Sequence, residues 1–324
     1  MDSLLQSLRL KSHYLQTIPQ NQACVLQSIL TKSGKYEKLY GVPLHHFSES
    51  QYQSYLKEWS RKSTFFVNRN RVGKYLEWLE LQGIPTTISS FRNIKYSGEQ
   101  IENVTRQMFC RIEDIYSLIY RIYFFGEGSY SSKIQEGTAL LLRTIGLNNC
   151  DISELEESNV DYIKKEICVN GKIIHEIPEK FLELINICAN LKGRYSRSKS
   201  LSKTVNFESS PYLLKQIKAT EKRNAVFTGN MLKRAMVIWR ESRSTKNLTE
   251  NLFPKDLNHA YLFCKVLSFE QGHPDQIFDK ISKEKQELAS RLVGYWTGSR
   301  LSGATMQRYF LEEYFSWRVF ACRE

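Results

Sequence analysis

The sequence has no CxxC pair, and none of its seven cysteines (Cys24, Cys110, Cys150, Cys168, Cys188, Cys264 and Cys322) has a histidine beside it at metal-ligand spacing. The usual signatures of a disulfide scaffold and of a zinc site are therefore missing, and no metal or other cofactor is expected. A reducing compartment follows from the same pattern. His45 and His46, next to Pro43, read as loop histidines with no third ligand to complete a site. No apolar run reaches membrane-spanning length. The opening MDSLLQSLRLKSHYLQ breaks its apolar residues with Arg9, Lys11 and His13, so it holds no signal-peptide core. The expected location is the cytoplasm, in association with the nucleoid, with no membrane partner. Fixed-period repeats and low-complexity segments are also missing, which leaves an ordinary globular chain of 324 residues, enough for about two domains.

What the chain does have is positive charge. Lysine and arginine number 46 against 34 acidic residues, a formal net charge of +12. Without a membrane anchor, nucleic acid is the first candidate among polyanionic partners. Charge alone leaves two readings open, a nucleic-acid binder and a merely basic protein.

From Ser50 the first third reads as short helices, the clearest being STFFVNRNRVGKYLEWLELQGIP. Ser63 or Thr64 is placed to cap it, Val72, Tyr75, Leu76 and Leu79 fall on one face, and Gly83 with Pro85 stops it. The opposite face carries Asn70, Arg71 and Lys74, which suits either a phosphate backbone or plain solvent. Residues 85–104 lose apolar periodicity and gain Ser, Asn and Gly, so they are expected to link a first domain, 1–104, to a second, 105–324.

In the second part, VTRQMFCRIEDIYSLIYRIYFF and SSKIQEGTALLLRTIGL read as two buried helices. Gly137 lies inside the second, where glycine costs about 1 kcal/mol against alanine, so a close helix contact is expected there. Asn170-Gly171, bracketed by Ile167, Val169, Ile173 and Ile177, is a strong hairpin signal. Residues 192–246 are dense in basic residues, and KGRYSRSKSLSK reads as a loop. In it Arg194, Arg197, Lys199 and Lys203 are candidate phosphate contacts, with Tyr195 beside them. PKDLNHAYLFCKVLSFEQG, SKEKQELASRLVGYW and the carboxyl segment are helical in pattern. Phe310, Tyr314, Phe315, Trp317 and Phe320 either close the domain's own core or dock on a second copy.

These pieces in this order resemble the tyrosine recombinase (phage integrase) family. LLLRTIGLNNCDISELEESNVD is similar to the family's T-G-L-R-x-S-E-L…D-I-D stretch and VNGKIIHEIP to its G-K…V-P hairpin. PKDLNHAYLFCKVLSFEQG is similar to its P-H-D-L-R-H-T-F box and ATMQRYF to its T-T-x-x-Y motif. The resemblance spans nearly the whole chain. It implies a mostly α fold with a small β-hairpin or sheet, a two-domain clamp in which a helical core-binding domain and an α+β catalytic-like domain close on duplex DNA.

The departures from the motifs carry the function. In the family two arginines hold the scissile phosphate, a lysine and a histidine or tryptophan assist, and a tyrosine attacks phosphorus. Here the first arginine position falls on Asn148, or on Asp151 when the match is anchored on ISEL. The second falls on Asn258, with Lys255 at the first histidine of that box and His259 kept beside it. Tyr295 or Trp296 stands at the assisting position, and only Lys172 and Tyr309 match cleanly. A tyrosine with a pKa of about 10 is a poor nucleophile without preorganised cations, and losing one such group costs about a hundred- to a thousandfold in rate. Lys255 offers a point charge rather than a guanidinium fork. The resemblance with these losses implies a DNA-binding regulator that is not an enzyme. Its contact set would be Arg71, Lys74, Lys172, Arg194, Arg197, Lys199, Lys203 and Lys255. The alternatives are an active recombinase that recruits Arg143, Arg300 or Arg308, and an accessory protein that shapes DNA. Cys150, near the lost arginine position, reads as a small core residue.

Overall fold

The structure, a computed structural model, describes residues 2–59, 62–106, 108–125, 130–197, 202–207, 210–215, 225–242 and 254–322; these are mostly helical with small β elements. They fall into two compact units, residues 1–105 and 106–324.

In the first unit, α1 (Asp2–Thr17), α2 (Gln20–Tyr40), α3 (Glu49–Leu56) and α4 (Lys62–Leu81) surround an aromatic core in which Tyr52, Tyr55, Phe65 and Tyr75 are fully buried. Ser48 starts α3 by taking the Gln51 N–H while the Gln51 side chain returns to its own N–H. Val72, Tyr75, Leu76 and Leu79 are buried together, as their spacing on one helical face requires. The start of α4 differs from expectation. The helix already includes Lys62, so Ser63 and Thr64 lie inside it and neither is its cap. Residues 85–104 are not an open linker either. They form α5 (Ile88–Arg92) and most of α6 (Gly98–Thr105), and Ile88, Phe91 and Ile94 enter the same core. Helices of one or two turns are too short to display an apolar period, which is why the sequence pattern hid them.

Lys11, which interrupts the apolar amino-terminal stretch, points inward. Its Nζ lies 2.5 Å from Glu37 Oε2 with both side chains buried, and Ser7, Ser33 and the Leu44 N–H complete the cluster. Next to it His45 is not a loop histidine in solvent but only 6% exposed, within the 3-10 turn Leu44–His46. Burial, then the charge of His46, lowers its pKa from 6.5 to about 4, and Glu37 opposes that only in part. The unfolded chain therefore takes a proton that the folded chain refuses. Stability from this residue is fully present above pH 6.5 and is lost as pH falls toward 4. His45→Gln is expected to flatten the acid side of the melting-temperature profile, and an unchanged slope would place the acid sensitivity elsewhere.

The second unit is built on α8 (Tyr130–Thr144), which follows α7 (Ile112–Phe125) and precedes α9 (Asn149–Glu154). Ile134, Ala139, Leu140, Leu141 and Leu142 are fully buried, as expected of a helix covered on all sides. A three-stranded antiparallel sheet follows, β1 (Val160–Asp161), β2 (Glu166–Val169) and β3 (Lys172–Ile174) in that order. Next come α10 (Glu179–Ala189), the paired strands β4 (Gly193–Arg197) and β5 (Ser202–Asn206), and α11 (Ala225–Ser242). Helices α12 (Pro254–Gly272), α13 (Lys283–Thr297) and α14 (Gly303–Ala321) complete the unit. The basic stretch expected to be a loop is thus partly a hairpin. Tyr195 pairs with Thr204 and Arg194 with Val205, so strand-favouring residues outweighed the serines. The side chains of Arg194, Arg197 and Lys203, and the whole of Lys199, lie outside the described residues. Of the carboxyl-terminal aromatics, Phe310, Tyr314 and Trp317 are buried in the unit's own core around Phe263.

Candidate functional site

The turn between β2 and β3 places the first residue of interest. Asn170 and Gly171 have φ of 51° and 72°, the two left-handed positions of a type I′ turn, and Val169 pairs directly with Lys172. Ile167 opposes Ile174, both fully buried. Ile173 is exposed opposite Cys168, because the inward residues of a strand alternate and Ile174 takes the core position.

Lys172 does not present an unopposed ammonium. Its Nζ lies 2.5 Å from Asp151 Oδ2, with side-chain exposures of 28% and 5%. Asn170 Nδ2 donates to the other oxygen of Asp151 at 3.1 Å and to Glu154 at 3.0 Å. Asn148 is also in use locally. Its side chain accepts the N–H groups of Cys150 and Asp151 as the N-cap of α9, and Asp151 answers at the Asn148 N–H. Cys150, expected in the core, is exposed on the first turn of that helix. Asn148 and Asp151, the two residues expected at the first arginine position, are therefore occupied by the fold, and Asp151 is ion-paired with Lys172.

The second box behaves alike. Asn258 Nδ2 donates to the Thr144 carbonyl at 2.8 Å, closing the end of α8. His259 Nδ1 meets Glu313 Oε2 of α14 at 2.9 Å, nearly buried on both sides. Lys255 is exposed on the first turn of α12, and Tyr309 is half-buried on α14. Of the alternative arginines named from the sequence, Arg143 donates to the Leu147 carbonyl at 2.9 Å and Arg308 pairs with Glu312 at 3.0 Å.

At the assisting position Tyr295 and Trp296 take opposite roles. Tyr295 is 45% exposed and lies flat on His175, ring centroids 4.3 Å apart. Partial burial, then the carboxylates of Glu176 and Glu166, raises its phenol above the usual value, so it stays neutral. Trp296 is buried and donates its indole N–H to Glu176 at 2.9 Å. Burial alone would raise the Glu176 carboxyl. The bonds from Lys265 and Trp296 outweigh it and hold the carboxyl below its ordinary range. Glu176 adopts φ 53°, a left-handed backbone that a non-glycine residue holds only when its surroundings fix it. Together with the His175 N–H donated to the Tyr295 carbonyl, this ties the hairpin to α13. Glu176, His175 and Lys265 carry no signal in the sequence beyond the HE pair closing VNGKIIHEIP. In the first unit, Arg71 donates to Asn68 at 3.2 Å and Lys74 is exposed, both on α4.

Comparison with known proteins gives a fold likeness alone. No family model and no curated protein matches the chain. Among solved structures, a lambda integrase fragment, crystallised as a dimer bound to a COC′ core site, matches 97% of this chain and 95% of its own at 13% identity and a TM-score of 0.44. A second lambda integrase dimer bound to a COC′ core site matches 94% of this chain and 77% of its own, at 12% identity and a TM-score of 0.42. Scores at this level do not assign the chain to a family.

Proposed function

We propose that this chain binds duplex DNA in a sequence-specific manner and acts as a transcriptional repressor that keeps a prophage in lysogeny, on a recombinase-like frame that no longer cuts strands. Its sequence resembles the master repressor of SPβ-type prophages. The observation that carries the absence of cleavage is the pairing of Lys172 with Asp151 at 2.5 Å, beside Asn148 and Asn258 used as structural ties. A pentavalent phosphorus needs cations on its non-bridging oxygens. Here the aligned positions supply a carboxylate and two amides. Binding needs none of that chemistry. The net charge of +12 supports salt-dependent affinity. Arg71, Lys74, Arg194, Arg197, Lys199, Lys203 and Lys255 are the proposed phosphate contacts; Lys172 contributes less because its charge is already met. The domains in this reading are 1–104 and 105–324, and a second copy on DNA would meet the first through the carboxyl segment.

DNA recovered from sheared phage and host genomes at moderate salt should contain many sites that share one element near promoters. A nicked suicide duplex carrying that element should bind tightly and leave no covalent adduct, and Tyr309→Phe should hold it within about twofold of the parent. An adduct that disappears in Tyr309→Phe would make the protein a recombinase, and a single bound site at an integration junction would point the same way.

A further inference from the structure

One face of α13 is not spent on the core. Leu288, Arg291, Leu292 and Tyr295, spaced i, i+3, i+4 and i+7, line an open cleft of about 790 Å³ together with Phe269 of α12 and Arg300. No acidic residue lines it among the described residues. Neither arginine forms a hydrogen bond or ion pair among the described residues.

Arg300 is seated over this cleft by the chain around it. Gly298, at φ 66°, ends α13 and turns the backbone. Thr297 Oγ1 accepts the Ser299 N–H at 3.3 Å, and Ser290 donates to the Leu301 carbonyl at 3.4 Å. Gly294 leaves room for the arginine stem, since a Cβ there would fall 2.7 Å from Arg300 Cγ. The result is an apolar floor of Phe269, Leu288 and Leu292 with two uncompensated guanidinium groups at its edge.

We infer that this cleft binds a small amphipathic anion, an apolar body ending in a carboxylate or similar acid group, with Arg291 and Arg300 receiving the acid. The volume is that of a small-molecule site. A guanidinium binds an oxyanion by paired charge-assisted hydrogen bonds, and the apolar floor excludes a bare phosphate as the best occupant, because it would leave that surface wet. The inference stands apart from the proposed DNA reading, because it needs no nucleic acid.

The test uses the full chain and 1-anilinonaphthalene-8-sulfonate, an amphipathic anion whose fluorescence rises on binding, challenged with decanoate, decanol and decylamine. Saturable binding displaced by decanoate and not by the other two is the expected result. Arg291→Glu/Arg300→Glu, at exposed positions, should weaken it by about tenfold or more with an unchanged melting temperature. Gly294→Val, which displaces the Arg300 stem, should weaken it as well. Equal displacement by decanol, or full binding retained in the double arginine variant, overturns the inference. So does displacement of the probe by duplex DNA together with loss of duplex affinity in that variant, which would make the arginines phosphate contacts. Probe binding is read without DNA and duplex binding without probe, so one failure is separable from the other.

Discussion

Gly137→Val is expected to destabilise the second unit by about 3 kcal/mol or more. Gly137 is in the buried helix α8, and a Cβ there would fall 2.4 Å and 2.5 Å from two carbons of the Tyr123 ring. That ring cannot swing aside cheaply. Tyr123 is fully buried, and its hydroxyl is held by Thr138 and by the Leu184 carbonyl of α10. Even Gly137→Ala should lose stability, although alanine favours a helix by about 1 kcal/mol over glycine. Urea or thermal melts decide it; an alanine variant as stable as the parent would show that the ring moves.

The second large effect belongs to Lys172. Lys172→Met removes the partner of a carboxylate that is only 5% exposed, and an unpaired buried charge costs about 3 kcal/mol. Lys172 is itself 28% exposed, so water will recover part of that. Adding Asp151→Asn removes the orphaned charge and keeps one acceptor oxygen for Asn170, giving up the longer bond from the Asn148 N–H, so the double variant should regain part of the loss. A melt in which the double variant is as poor as the single would mean that Lys172 matters for packing rather than for charge. If the lysine served only a ligand, Lys172→Met would leave the melting temperature where it was.

Much of the frame was legible in the sequence because its signals are local. Asn170-Gly171 supplies two left-handed positions and so fixes the hairpin and the place of Lys172. The spacing of Val72, Tyr75, Leu76 and Leu79 fixes a buried helical face, and Gly137 inside an apolar run marks a close approach. What escaped depends on residues distant in sequence. Asp151 meets Lys172 across 21 positions and Asn258 meets Thr144 across 114, and no periodicity encodes such pairs. The inward turn of Lys11 toward Glu37 escaped for the same reason, at a separation of 26. Residues 85–104 were misread because composition suggested a loop while three apolar side chains, Ile88, Phe91 and Ile94, carried the packing.

The occupied positions also give the chain a direction of change. Under the proposed reading, cleavage could return only if arginines reappeared at the aligned sites. A single Asp151→Arg would set a second cation against Lys172 in a nearly closed site and strip the Asn148 N–H of its acceptor. Asn258→Arg would have to abandon the Thr144 carbonyl at the end of the central helix. Each step taken alone is expected to lower stability before it restores any chemistry. Under that reading, loss of catalysis would work as a ratchet, held by two contacts made within the fold, Lys172 with Asp151 and Asn258 with Thr144.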